Sequence, residues 1–587
     1  MVYSHRAWCY GSGTLVVRAF AILLVLLFYG WTAFPVRAAT TVYVRVDGSD
    51  TLCNGTANAP ASAAPNCAFA TVPKAVTDVA SGGTVNVAPG TYGATVIINQ
   101  TLTLRGAQFG VDARTRPGTS AGESILTGGV FVNANSVVVD GFTIQGVATG
   151  PGLTFNKDFS GYQVLNNIVQ DNVFAIYLNA SGVLPTQVRF NLLRANNRGG
   201  AAGGDAIYSD QGLRNVLIDR NTFADQNVSA VDLSSITAGQ QHTITISNNL
   251  MQNCGRPLIL LLVTSTVVTG NTITGSTLAA SGAIGAYGGV SGVTISGNNI
   301  VSGAGAAVQL QDGTNGFFPN SNIVVNYNRI AGNAVGIRTP NGFGYSGTLN
   351  AENNWWGCNG GPGAAGCDTV STPGVGVDTN PWLVLQFSAS PTTAYVGQPV
   401  TLTADLRFNS LSVDVSSLGF IPNGTPVQFD ATLGTLQAAS SGTTGGRAQT
   451  TYSGTTPGMA SVSATLDTTL TGSVTVLRAD TTTQITGIIP EPVAVGRRAV
   501  IHVQVSPVAP SGGTPGGSVT VSGGGAMCVA TLAADGTGSC SFVIGQVGTY
   551  ELTASYSGAT GYKPSSGTAQ HQVTPDHNYL PLIMRNS

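Results

Sequence analysis

The stretches ITISNNLM (244–251) and VTISGNNI (293–300) share one pattern, in which β-branched residues alternate with small polar ones and run into an asparagine. The pattern returns as VLNNIV, VRFNLL, VLIDRNTF, VVTGNTI, IVVNYNRI and TLNAENNW, at intervals of 22 to 30 residues. A fixed period of this length signals a repeat architecture rather than a conventional core. Aligned on the asparagine, eight rungs read Asn167, Asn191, Asn221, Asn249, Asn271, Asn298, Asn328 and Asn353.

Three residues before that asparagine stand Val164, Val188, Ile218, Ile246, Val268, Ile295 and Val325, with Asn350 breaking the series at the last rung. Two residues after it stand Val169, Leu193, Phe223, Met251, Ile273, Ile300, Ile330 and Trp355. These are two inward-facing columns, and the position between them is mostly polar, as period-2 alternation requires. No rung buries its apolar face alone, but coils stacked in register give every column like neighbours above and below. Each coil has room for about three short strands, stacked at roughly 4.8 Å. The anchor asparagine suits a bend, because asparagine tolerates left-handed backbone and its amide can bond backbone groups or its equivalents in adjacent coils.

The expected fold class is therefore all-β: a single-stranded right-handed parallel β-helix over 39–385. The rungs resemble those of the right-handed β-helix, or pectin-lyase-like, superfamily over roughly residues 41 to 385. YVRVDGSD, CAFATVPKAV, GGTVNVAPGTY and TLTLRGA look like its opening coils, with ATVPKAVTDVA as an amphipathic capping helix, and VVVDGFTIQ (137–145) resembles a further rung with Phe142 in place of the asparagine.

Past residue 386 the rungs vanish and two segments echo each other: YVGQPVTLTADL with AVGRRAVIHVQV, and TPGMASVSATL with QVGTYELTASY. Each unit alternates short strands with Gly/Pro/Asn turns, which suits two β-sandwiches at 386–478 and 479–574. They resemble bacterial immunoglobulin-like modules, the first nearer the invasin/intimin type and the second a cell-wall spacer type. A short tail, 575–587, follows.

Composition limits the partners. Only 9% of residues are charged and lysine occurs three times, at 74, 157 and 563, so no basic field can neutralise several phosphates; nucleic acid is excluded as a partner. Residues 1–38, with Arg18 ahead of AFAILLVLLFYGW and small residues around Ala38, read as a cleaved export signal, leaving no membrane span and an extracellular or cell-surface location. Beyond the export signal, three cysteine pairs agree with an oxidising compartment: Cys53 with Cys67, Cys358 with Cys367, and Cys528 with Cys540; Cys254 is left over. Metal-ligand spacing is missing and the repeat region holds His242 alone, so neither a metal nor a cofactor is expected.

The richest charged zone runs from 189 to 220. It offers Arg189, Asp205, Asp210, Asp219 and Arg220 as candidate catalytic or contact residues, with a long loop, NNRGGAAGGDAIYSDQG, where function tends to sit. Asp171 and Asp225 share a column that otherwise reads as a turn. The expected function is that of a glycan- or surface-binding, adhesin-like protein with the modules as spacers. Two other classes stay open: a polysaccharide lyase or glycosidase acting on an acidic polysaccharide, with Ca²⁺ needed only for the lyase, and a structural envelope component. At ENNWWGCNGGPGAAGC (352–367) column counting turns Trp355 inward as the last core rung, under a Cys358–Cys367 lid. It turns Trp356 outward, where it is the candidate for stacking on a sugar.

Overall fold

The computed structural model describes residues 39–117, 122–312, 318–340 and 344–576; the expected export signal and the tail from residue 577 lie outside them. Each coil supplies three short strands, as in Gln163–Leu165, Ile168–Gln170 and Phe174–Leu178. Stacked coils form three parallel sheets of thirteen, ten and eleven strands among the described residues. Along the first sheet Val164, Val188, Ile218, Ile246, Val268, Ile295 and Val325 are all buried, and so are the residues of the second column. Apart from Trp355, the two columns therefore form one continuous interior.

The bends follow from single residues in left-handed backbone. The position just before each anchor has positive φ: Asn166, Phe190, Arg220, Asn248, Tyr327 and Asn353, with Gly270 and Gly297 in the same place. The anchor itself does not turn the chain, which corrects the expectation from its residue type. A second corner, four residues after the anchor, holds Asp171, Ala195, Asp225, Asn253 and Ser302, all near +55°. That column is a turn.

The anchors do something else. Asn249 accepts on its Oδ1 from the Asn221 backbone N–H (2.9 Å) and from Asn221 Nδ2 (3.1 Å), and donates from its own Nδ2 to the Ile218 carbonyl (2.9 Å). The same bonds join Asn167, Asn191, Asn221, Asn271, Asn298 and Asn328 in sequence. Buried amides thus satisfy backbone donors that the corner would leave unpaired.

The last rung differs from its expected register by one residue. Asn328 bonds to Asn354 Oδ1, not to Asn353 (2.9 Å from N–H, 3.0 Å from Nδ2), and Asn353 takes the left-handed position before the anchor. A slip of one along a strand exchanges the two faces. Trp356 is consequently the tryptophan in the β-helix interior, and Ala351 replaces Asn350 in the first column. The Trp356 ring lies over Gly336, where any Cβ would approach it to 2.8 Å.

At the other end the helix Val72–Asp78 caps the first coils through Val72, Ala75 and Val76; Thr71 caps its N-terminus. The disulfides Cys53–Cys67, Cys358–Cys367 and Cys528–Cys540 are formed, and Cys254 is buried and free.

After Gly376–Asp378 the chain passes into two antiparallel sandwiches, one of four- and five-stranded sheets beginning with Leu383–Ser390, the other of three and five strands beginning with Thr481–Ile489. The first sandwich does not trail as a free spacer. Asp467 pairs with Arg329 and accepts from Trp355 Nε1 (2.8 Å), Asn409 Nδ2 donates to Asn353 Oδ1 (3.2 Å), and Asn299 bonds Thr425 (3.2 Å). Trp355 is part of the sandwich core.

Candidate functional site

The charged zone of 189–220 is divided between faces. Asp219 stands on the first sheet and takes Arg189 (3.0 Å) and Arg220 (3.1 Å), while Ser247 Oγ and Asn248 Nδ2 donate to its other oxygen, each at 2.8 Å. Arg189 and Arg220, together with Arg114, also surround the Phe190 ring at 5.0 to 5.9 Å. Phe190 sits at positive φ, so this cluster holds a strained corner in place. Its charges are satisfied within the fold.

Asp205 and Asp210 lie elsewhere, on the third sheet. There the strands Phe174–Leu178, Asp205–Ser209 and Ser229–Ser234 pair in register, which lines up Tyr177, Tyr208 and Asp232 on consecutive coils of the outer face. The two tyrosine rings stack at 5.9 Å and 14°, with Phe174 edge-on to both at 6.0 and 6.1 Å. Tyr177 donates to Asp210 Oδ1 (2.6 Å) and Tyr208 to Oδ2 (3.3 Å), and Gln211 Nε2 donates to the Tyr177 oxygen (2.5 Å). Ser229 Oγ donates to Asp205 (2.7 Å) and Ser234 Oγ to Asp232.

None of Asp205, Asp210 and Asp232 has a lysine or arginine within ion-pair distance among the described residues. Burial, followed by the neighbouring charge of Asp232, pushes the Asp205 carboxyl up to about 7; burial pushes Asp232 up to about 6. The positive charge of Arg256 opposes both shifts. Tyr177 and Tyr208 are raised by burial and by Asp210. The face thus offers tyrosine hydroxyls and an acceptor carboxylate, Asp210, while Asp205 and Asp232 are buried.

Trp356 is fully buried and cannot stack on a sugar, because the one-residue shift carried it inward. Tyr177, Tyr208, Asp232 and Arg256 were not foreseen. Their signal was in the chain: FAIYL, DAIYS and SAVDL repeat an Ala, a β-branched residue and then the outward position. Among the described residues no cluster of three or more His, Cys, Asp or Glu is arranged to hold a metal ion. No described helix is long and apolar enough to cross a membrane.

The site therefore stands on a right-handed parallel β-helix joined to immunoglobulin-like sandwiches. Residues 206–380 match the family model for a right handed beta helix region, and residues 485–574 match that of a bacterial Ig-like domain (group 3). Several solved structures are similar. Invasin, a bacterial integrin-binding protein, is 17% identical, covering 33% of this chain and 40% of its own, with a TM-score of 0.26. A C-terminal fragment of intimin, in complex with the intimin-binding domain of its translocated receptor, is 20% identical over 33% of this chain and 64% of its own, with a TM-score of 0.16. The A-module of the Azotobacter vinelandii mannuronan C-5 epimerase is 15% identical over 51% and 91%, with a TM-score of 0.29. This chain thus spans less than two thirds of the invasin structure and of that intimin fragment. No curated protein matches.

Proposed function

We propose that the protein is exported to the cell surface or beyond, and that the outer face of its third sheet binds a hydroxyl-rich glycan. The observation that carries this reading is the Tyr177–Asp210–Tyr208 set, hydrogen-bonded and partly exposed beside Asp232. Carboxylate and phenol oxygens at a regular coil spacing suit the repeating hydroxyls of a sugar chain, and tyrosine edges give it apolar contact. The Asp210 carboxylate, without an ion-pair partner among the described residues, repels a polyanion, so the chain favoured here is neutral or basic rather than acidic. Three disulfides support the location. Titrating the protein with neutral, basic and uronate oligosaccharides is the test. Binding that Tyr208→Ala and Asp210→Asn each weaken by tenfold or more supports the reading; unchanged binding in both variants refutes it.

A further inference from the structure

A cleft of about 600 Å³ opens far from the third-sheet site, on the outer side of the first coils. Its floor is the column in which Tyr43 and Asn86 stand in register on adjacent strands, Thr41–Val44 and Thr84–Val87. One wall is Arg45 with Asn58; the other is the turn carrying Gln108 and Phe109. Arg45 is neutralised by a two-point pair with Asp47 (2.7 and 2.9 Å), so the residues lining the cleft carry little net charge; Arg105, next in the column after Asn86, lies outside the lining, behind Phe109.

Phe109 is 49% exposed, and its position is built. Gly106 and Gly141 press together across neighbouring coils: a Cβ on Gly106 would come within 2.3 Å of the Gly141 carbonyl, and one on Gly141, at φ +82°, within 2.1 Å of the Phe109 nitrogen. Only this close approach seats the turn on the sheet and holds the ring over the cleft. The Arg105 guanidinium lies 5.1 Å from the ring centroid and backs it. The Asn86 amide and the Tyr43 hydroxyl make no side-chain hydrogen bond to another described residue, so both are available on the floor. An exposed, fixed aromatic ring opposite the unengaged Asn86 amide, with the Asn58 Nδ2 beside it while Asn58 Oδ1 accepts from Arg45, fits the apolar C–H face and adjacent hydroxyls of a pyranose.

We infer that this cleft is a second carbohydrate site, which takes two to four residues of an uncharged glycan with one pyranose on Phe109 and its hydroxyls on Asn86 and Asn58. Its lining, which contains no carboxylate, sets it apart from the third-sheet face. The full chain is titrated by calorimetry with neutral tetraoses built from glucose, mannose, galactose or N-acetylglucosamine, with saturation-transfer NMR locating the bound face. At least one tetraose is expected to bind, and Phe109→Ala and Asn86→Ala should each weaken it tenfold or more at unchanged melting temperature. Tyr208→Ala, which disturbs only the other face, should leave this binding intact. Absence of binding by all four tetraoses at millimolar concentration overturns the inference, and so does binding that survives Phe109→Ala and Asn86→Ala; binding of the latter kind that Tyr208→Ala removes belongs to the third-sheet face and leaves that reading standing.

Discussion

Asp205 shows how one side chain couples the site to stability. Its carboxyl titrates at about 7 in the folded protein, against about 3.9 in an unfolded chain, so between those values the folded state holds the extra proton. The contribution is fully present below about pH 4 and is lost as pH rises through 7. Melting temperature should therefore rise as pH is lowered from 8 to 5, and Asp205→Asn should flatten that part of the profile; a profile unchanged by the substitution would contradict the burial argument. The two tryptophans give the other test at this scale. Trp356→Ala empties a fully enclosed space at the end of the β-helix and should cost about 3 to 5 kcal/mol in chemical denaturation. Trp355→Phe keeps much of the apolar volume but deletes the bond to Asp467, so its effect should fall on the junction with the first sandwich, at about 1 kcal/mol.

Among elements, the coil is the unit, and its asparagine is the most legible part of the sequence. Seven of the eight anchors were readable because one residue type recurs beside two apolar columns. The eighth slipped because the last rung offers adjacent candidates, Asn353 and Asn354, and the strand before it pairs too briefly to fix the register from alternation alone. A second polar column, five residues after the anchor, was missed. Asn172 donates its N–H and Nδ2 to Asn196 Oδ1, Asn196 donates its N–H to Gln226 Oε1, and Asn333 Nδ2 donates to Asp368. Between them stand Cys254, Ser276 and Gly303, so the column lacks a uniform residue type and leaves no simple pattern to see. Asn249→Ala removes the acceptor for the Asn221 N–H and the donor to the Ile218 carbonyl, both buried. Each orphaned group costs about 1 to 3 kcal/mol. Hydrogen exchange should accelerate first in the coils on either side, as expected when stability passes between nearest neighbours; a uniform acceleration along the whole β-helix would count against that picture.

For the molecule as a whole, architecture was legible and arrangement was not. Alternation and turn residues announce sandwiches, but the pairing of Arg329 with Asp467 joins positions 138 residues apart, and no local pattern encodes such a partner. The same is true of the third-sheet site, whose Tyr177, Tyr208 and Asp232 meet only because coils of unequal length stack in one register. Asp467→Ala leaves Arg329 without its carboxylate and Trp355 Nε1 without its acceptor. The expected result is a larger maximum dimension in small-angle scattering as the sandwich swings away, with the β-helix melting little changed; identical scattering from the variant would mean that the remaining contacts suffice.

The closing rung has a further consequence. A parallel coil stack is a template, and its final turn presents strand edges to which another chain could add much as a crystal face accepts the next layer. Here Trp356 fills the terminal space, Asn354 ends the amide chain by bonding back to the Val325 carbonyl, and the first sandwich lies against the last turns. Together they act as a stopper that keeps a self-propagating surface from recruiting its own kind. A chain ended before Leu383 should therefore form end-to-end filaments at concentrations where the intact protein stays monodisperse.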